Sequence, residues 1–284
     1  MWNRDEKEGE MSASSVTQAE KAKRFQALHA SGCFVIPNPW DPGSARILES
    51  LGYQALATTS AGYAFSLAKL DGQVGLDGMV EHCRVLCAST NLPVSADLEN
   101  GYADDPKTAA TALVRGAEAG LVGGSIEDYS GDPAKPVYDF TLAVERVQAG
   151  VEAVRKLPFP FMFAARADAL IHNAKDLDDT IRRLQAFEAA GADVLYAPGL
   201  KTLEEVRKAC SAVKKPVNVN MTGLHHTTLA QLAEAGARRI STGGALARAA
   251  IGTLIAAARE MQSPGTFTWA NAATSGAEIK KLLG

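Results

Sequence analysis

From residue 34 to residue 242 the chain alternates between short runs of apolar and β-branched residues and longer stretches whose apolar positions recur at helical spacing. The short runs, at 34–37, 55–59, 94–98, 124–127, 161–166, 194–197, 217–221 and 239–242, predict eight strands. The segment 176–190 shows the other pattern: Leu177, Ile181, Leu184, Phe187 and Glu188 follow a helical period, and Gly191 ends it. Gly52, Gly120, Gly191 and Gly236 stand alike, each closing a predicted helix just before a strand, where the chain turns through a left-handed residue. Eight strands, each followed by a helix and with no compositional break, predict an α/β fold, a (β/α)8 barrel of the TIM type. A doubly wound sheet is the alternative. Against it, the first strand runs into Asn38-Pro39-Trp40-Asp41-Pro42-Gly43 rather than a G-x-G-x-x-G turn. Residues 1–20 read as a polar extension, helical or disordered, ahead of one barrel domain over 21–284.

Composition narrows the function more than the fold. A chain of 284 residues, 46% of them hydrophobic, can bury one large core. A net charge of −3 leaves no basic footprint for nucleic acid. No apolar run nears the roughly 20 residues that span a bilayer, so no membrane partner is expected. The first ten residues are polar and mixed in charge, without the apolar stretch of a secretion signal, and a cytoplasmic protein is expected. Cys33, Cys83, Cys87 and Cys210 are then expected as reduced, packed thiols. Cys83 and Cys87, four apart on a predicted helix, share a face without forming a zinc pattern.

The active sites of such barrels lie at the C-terminal ends of the strands. Those ends bring together Trp40 and Asp41, then Thr59, Ser60 and Ala61, then Asp97 and Glu99, and then Glu127 and Asp128. Arg166 and Asp168, Tyr196 and Pro198, Asn218, Asn220 and Thr222, and finally Thr242, Gly243 and Gly244 complete the rim. Asp97 and Glu99 are two apart and point to one side of an extended chain, and Glu127 arrives from the next strand. Three acids on one rim repel each other unless a cation or protons sit among them, so Asp97, Glu99 and Glu127 are candidate oxygen ligands for Mg²⁺ or Mn²⁺. The alternative is a helix-cap or ion-pair role. Arg166 ends an apolar run and is a candidate to pair with a substrate carboxylate, or else to pair with Asp168 or Glu127. This inventory fits a small anionic oxo- or hydroxy-acid chelated to a metal.

In this order the motifs resemble those of the isocitrate lyase/phosphoenolpyruvate mutase superfamily over residues 25–262. They are Asp41-Pro42-Gly43-Ser44-Ala45, Thr59-Ser60-Ala61-Gly62, Leu70-Asp71-Gly72, Asp97-Leu98-Glu99-Asn100-Gly101-Tyr102, Ile126-Glu127-Asp128, Ala165-Arg166-Ala167-Asp168 and Asn220-Met221-Thr222. The resemblance implies that Asp97 is the direct Mg²⁺ ligand, with Glu99 and Glu127 acting mainly through waters. It implies that the backbone N–H groups of Thr59, Ser60 and Ala61 hold the substrate carboxylate, with Arg166 on the same substrate. Trp40 and Asp41 fall on its substrate side, Asp71 stands at its active-site aspartate, and Asn220 and Thr222 match a pair that binds an outer carboxylate. The chemistry it implies is formation or use of a pyruvate-type enolate. It also implies a homodimer or homotetramer with an exchanged final helix. The segment 245–261 suits that helix, being apolar on more than one side, but burial within one chain would suit it equally.

The chain departs from the lyases in the loop after the fourth strand. There they carry K-K/R-C-G-H, whereas this sequence has Tyr129-Ser130-Gly131-Asp132-Pro133-Ala134-Lys135-Pro136-Val137-Tyr138. Lys135 and Tyr138 are its proton-transfer candidates. Near the sixth strand end, Tyr196-Ala197-Pro198-Gly199 lacks the family's frequent glutamate or histidine, for which His225-His226 could substitute. With the loop acid or base gone, decarboxylation of a 2-oxo diacid such as oxaloacetate is the most compatible reaction. Carbon–phosphorus chemistry of the phosphonopyruvate hydrolase or mutase kind and carbon–carbon cleavage of a substituted malate come next. A phosphate-binding barrel built on Ser241-Thr242-Gly243-Gly244 and a barrel that binds a diacid without turning it over are the rival readings.

Overall fold

The computed structural model describes residues 16–172 and 176–284. Its first helix, α1 (Gln18–Leu28), opens on a capping box between Thr17 and Glu20. There follow β1 (Phe34–Ile36), α2 (Pro42–Ser50), β2 (Leu56–Ala57), α3 (Ser60–Ser66), α4 (Leu76–Ser89), β3 (Val94–Asp97), α5 (Pro106–Glu118), β4 (Gly123–Glu127) and α6 (Phe140–Val154). The second half carries β5 (Met162–Arg166), α7 (Leu177–Ala189), β6 (Val194–Tyr196), α8 (Leu203–Ser211), β7 (Val217–Asn220), α9 (Leu229–Glu234), β8 (Arg239–Ser241) and α10 (Ala245–Gln262). A 3₁₀ turn (Thr268–Ala272) and α11 (Gly276–Leu283) finish the chain.

All eight expected strands are present, parallel, and paired in the order β1-β8-β7-β6-β5-β4-β3-β2. This is the (β/α)8 barrel. The β1–β2 seam is held by the Ala57 N–H on Pro37 O at 3.0 Å and by Asn38 Nδ2 on Thr58 O at 2.7 Å. Most strands are shorter than the apolar runs that predicted them. The run continues for one residue past the strand, as where the Leu98 N–H still reaches Ser125 O at 3.1 Å, and then turns over the rim. Gly120 takes φ of 108°, and a Cβ there would lie 2.8 Å from the Cys87 Cβ, so both its conformation and its space require glycine.

Residues 1–15 of the expected extension lie outside the described residues, but its last residues belong to the fold. Gln18 Nε2 donates to Ala117 O and Leu121 O at 2.7 and 2.8 Å. Phe25, fully buried on α1, packs with Ile36, Ala55, Val122, Met162, Ala164 and Val194. The main core, which includes Leu98, Leu113, Phe163 and Leu184, lies around the barrel. The four cysteines are free, with Cys83 buried and the others partly so. Within this one chain α10 is not buried, since its buried residues are Ala247 and Ala257 while Leu254 is 66% exposed. No helix of the described residues is long and apolar enough to cross a membrane.

Candidate active site

At the C-terminal end of the barrel a cavity of about 470 Å³ opens among the strand ends. Thr59, Ser60, Ala61, Asp71, Asp97, Arg166, Asn220 and Thr222 line it. Trp40, Asp41, Glu99 and Glu127 do not, and Asp41 is engaged locally. Its Oδ1 accepts the Ser44 N–H at 2.7 Å and caps α2, as an aspartate before Pro-Gly-Ser does.

Thr59 caps α3 in the same manner, its Oγ1 taking the Gly62 N–H at 3.2 Å. The first N–H groups of a helix have no partner within it. Those of Ser60 and Ala61 donate to no acceptor among the described residues, and both residues stand on the cavity wall. Ser60 Oγ donates to Asp97 Oδ2 at 3.1 Å and is within hydrogen-bonding reach of Asp71. Loss of solvation raises the Asp71 pKa, and the Asp97 charge adds to this against the Ser60 hydrogen bond.

Asp97 ends β3 with its N–H on Thr58 Oγ1 at 3.0 Å and its Oδ1 facing the Glu99 N–H at 3.3 Å. The chain then turns sharply, with Glu99, Gly101 and Tyr102 at φ of 47°, 74° and 59°. Asn100 Oδ1 ties the turn to the Tyr102 N–H at 2.9 Å, and the Tyr102 hydroxyl donates to Glu99 Oε1 at 3.3 Å. Burial, and then the charges of Asp97 and Asp71, push the Glu99 carboxyl up to about 7.

Arg166 ends β5 in the middle of this negative charge. It makes a bidentate pair with Asp168 at 2.6 and 2.7 Å, reaches Glu127 Oε2 at 3.0 Å, and lies 3.5 Å from Asp97 Oδ1. Burial alone would lower its pKa, but Asp168, Glu127 and Asp97 together raise it. Burial lifts the Glu127 carboxyl well above its ordinary range even beside Arg166, and Asp168, Asp97 and Glu99 add to this. The pair is anchored from behind, because Asp128 Oδ1 accepts the Asp168 N–H at 2.7 Å and Asp128 Oδ2 pairs with Arg183 at 3.0 Å. The ion-pair alternative for Arg166 is therefore present in the geometry, while its side chain still faces the cavity.

The donors fit a hard divalent cation: carboxylates of Asp97, Asp71 and Glu99 and a serine hydroxyl, all oxygen. No three His, Cys, Asp or Glu side chains among the described residues form a closed cage. Mg²⁺ needs none, since it keeps several waters and takes one or two carboxylates directly.

The proton-transfer candidates are held elsewhere. Lys135 pairs with Asp139 at 2.9 Å on an exposed loop. The Tyr138 hydroxyl donates to Asp104 Oδ1 at 2.6 Å, receives Asn100 Nδ2 at 3.2 Å, and burial pushes its pKa up to about 12. His225 and His226 are exposed, and neither is on the cavity wall. The structure adds residues that the sequence reading passed over. Asn38 Oδ1 gathers the N–H groups of Thr242 and Gly243 at 2.9 and 3.0 Å, and Ser95, Ser125, Arg239, Lys201 and Arg248 line the cavity. Ser95 and Ser125 were findable, being two residues before Asp97 and Glu127 on the same strands.

Comparison with known proteins agrees with this geometry. The family model of phosphoenolpyruvate phosphomutase matches residues 25–262. The chain belongs to this family. With it the protein falls in a superfamily of lyases, mutases and hydrolases. A crystal structure from Burkholderia cenocepacia J2315, assigned provisionally as a lyase/mutase, is 51% identical with a TM-score of 0.90, over 93% of this chain and 95% of that one. The 2-methylisocitrate lyase of Shewanella oneidensis is 30% identical over 78% of each chain. The oxaloacetate decarboxylase of Paraburkholderia xenovorans is 30% identical over 70% of this chain and 67% of its own.

Proposed function

We propose that the protein is a Mg²⁺-dependent enzyme, with Mn²⁺ as an alternative ion, that forms a pyruvate-type enolate from a small 2-oxo or 2-hydroxy diacid. Loss of CO₂ from a 2-oxo diacid such as oxaloacetate fits it best, with carbon–carbon cleavage of a substituted malate next. One observation carries this order. Groups that favour negative charge line the cavity, while Lys135 and Tyr138 are bound to Asp139 and Asp104. A reaction that breaks its bond without prior proton transfer is the one such a site favours.

Asp97 would hold the ion, with Glu99 and Glu127 around it. Bound there, the metal supplies Lewis-acid stabilisation of the oxyanion that develops as the enolate forms, a contribution of several kcal/mol to the barrier. The chain's own residues do the rest. The free N–H groups of Ser60 and Ala61 take the substrate carboxylate. Asn220, fixed by Nδ2 on the Tyr196 hydroxyl at 3.0 Å, and Thr222 at the mouth receive the outer end. Arg166 offsets the acids, so that an anion can approach them. In decarboxylation the electron pair of the broken C–C bond stays in the enolate, CO₂ leaves, and one proton from water completes pyruvate. Asp71, across Ser60 from Asp97 on the cavity wall, would face the substrate beside the metal site.

Carbon–phosphorus chemistry on phosphonopyruvate is the second reading, favoured by the phosphomutase family model itself. A panel of oxaloacetate, phosphonopyruvate, 2,3-dimethylmalate and 2-methylisocitrate, assayed for pyruvate with Mg²⁺, separates the two. Asp97→Ala and a metal-only blank run beside it. Pyruvate from one compound, lost in Asp97→Ala, supports the reading, whereas silence across the panel with tight oxalate binding points to a binding-only barrel.

The exposed apolar residues of α10 and the turn after it, Leu254, Ile255, Met261 and Phe267, support a homo-oligomer in which this helix packs on a second copy. Light scattering should give a mass of two or four chains of 29.9 kDa, and a single-chain mass would end this reading. A cytoplasmic location is the reading of the four free cysteines.

A further inference from the structure

The cavity does not stop at the rim. The interior of a (β/α)8 barrel is ordinarily filled by layers of branched side chains. Here the wall below the acids is made by Ala57, Ser95, Ser125 and Asn218, which are small or polar. Arg239, the first residue of β8, lines the same space. Strand register sets Arg239 beside Asn218, Asn218 beside Tyr196, and Tyr196 beside Arg166.

Arg239 is 5% exposed and has no carboxylate partner among the described residues. Its Nε donates to Asn218 Oδ1 at 2.7 Å, and one terminal nitrogen lies 3.5 Å from His29 Nε2. The other terminal nitrogen donates to no protein acceptor among the described residues. His29 brings no negative charge. Its Nδ1 donates to Phe25 O at 2.8 Å, which leaves Nε2 as a neutral lone pair, and burial with the Arg239 charge lowers its pKa to about 3. Tyr196, with the Asn218 side-chain carbonyl oxygen, favours the Arg239 charge, and burial brings the guanidinium down to about 10, where it remains a cation at neutral pH. A buried charge faced only by neutral dipoles is costly. Arg166, by contrast, has three carboxylates around it.

We propose that Arg239, with Asn218 and Ser241, forms an anion subsite at the floor of the cavity that takes a small oxyanion, either the second carboxylate of a diacid substrate, held here in place of its contact with Asn220 and Thr222, or a free inorganic oxyanion. The first source rests on the function proposed above, and the subsite itself does not. Asn218 orients the guanidinium while its Nδ2 donates to Ser241 Oγ at 3.0 Å, and the Ser241 hydroxyl is within hydrogen-bonding reach of Tyr196, so that all three polar groups are held beside Arg239.

The test uses the whole protein with sodium formate and sodium phosphate as probes, and Arg239→Met beside it. Formate or phosphate should raise the melting temperature of the wild type clearly more than that of Arg239→Met, whose remaining shift reports the N–H groups of Ser60 and Ala61. An equal shift in both overturns the proposal. Bromide soaked into wild-type crystals should give an anomalous peak beside the Arg239 guanidinium, and its absence there overturns the proposal even if Arg239→Met fails to fold. If the substrate supplies the anion, formate competes with the diacid, and Arg239→Met raises KM at least tenfold with kcat within about threefold. If an inorganic anion does, formate stabilises without competing. Formate held at Arg239 by a protein that releases no pyruvate from any candidate would sink the proposed function and keep the subsite.

Discussion

Arg146 belongs to α6, yet it serves the turn that follows β3. Its side chain is almost wholly buried, and its terminal nitrogens donate to Ala103 O and Asp104 O, both at 2.6 Å, and to Asn100 O. Its guanidinium also lies 4.2 Å from the centre of the Tyr138 ring, which comes from the loop after β4. One cation therefore clamps the two loops that follow Asp97 and Glu127, the first of which carries Glu99. Arg146→Met keeps most of the volume and removes the charge, which leaves three carbonyls without this donor. Each dry carbonyl costs about 1 kcal/mol or more, and each hydrogen bond to a charged group is worth about 1.5–3 kcal/mol. Against this, burial lowers the Arg146 pKa and Nε has no partner, so removing the cation recovers part of the loss. A net destabilisation of roughly 3–5 kcal/mol follows, the range for breaking a buried charged network. For a chain of 284 residues that is a fall in Tm of roughly 5–8 °C. Arg146→Lys should lose nearly as much, because an ammonium is not a planar fork that spans three acceptors. Scanning calorimetry of both variants checks this, with Mg²⁺ titration of the folded fraction as a second readout. A Tm within about 2 °C of wild type for Arg146→Met would refute the reasoning, as it would show the clamp to be worth less than ~1 kcal/mol.

Other changes have equally definite outcomes. In Gly101→Ala the new Cβ would lie 2.7 Å from Ala109 O and 2.9 Å from Ala109 Cβ at a φ of +74°, so strain and overpacking together should cost roughly 2–5 kcal/mol. A thermal melt unchanged from wild type would contradict this. His29, lowered from 6.5 to about 3 in the fold, is protonated first in the unfolded chain as pH falls, so its contribution is complete above pH 6.5 and is lost on the way down to pH 3. Between pH 6.5 and 4.5 the wild type should lose roughly 2 kcal/mol more than His29→Phe in urea titrations, and parallel pH profiles would show that the buried imidazole is not responsible.

The barrel was legible because its evidence is periodic. Eight apolar runs and the helix-ending glycines Gly52, Gly120, Gly191 and Gly236 report local backbone requirements, and all four glycines take positive φ. The short helix α3 was not legible, since Thr59-Ser60-Ala61-Gly62 reads as a rim loop until Thr59 is seen to cap it. Asp97 and Arg166 were legible as rim residues, and Asp71 only through the family resemblance, but their electrostatic partition was not. Whether Arg166 is spent on Asp168 and Glu127 depends on side-chain geometry across two strands. Arg239 was the hardest to foresee, because a charge at the first position of a strand ordinarily faces solvent, and only the small residues around it let it turn inward.

The measurement that bears most directly on the central claim is titration calorimetry of oxalate into the protein with Mg²⁺, with EDTA, and with Asp97→Ala in place of the wild type. If Asp97 holds a divalent cation that receives a chelating oxo-acid, oxalate binds with Mg²⁺ and releases no measurable heat in either of the other two. Oxalate binding of equal strength in EDTA, or in a folded Asp97→Ala protein with Mg²⁺, would contradict the account.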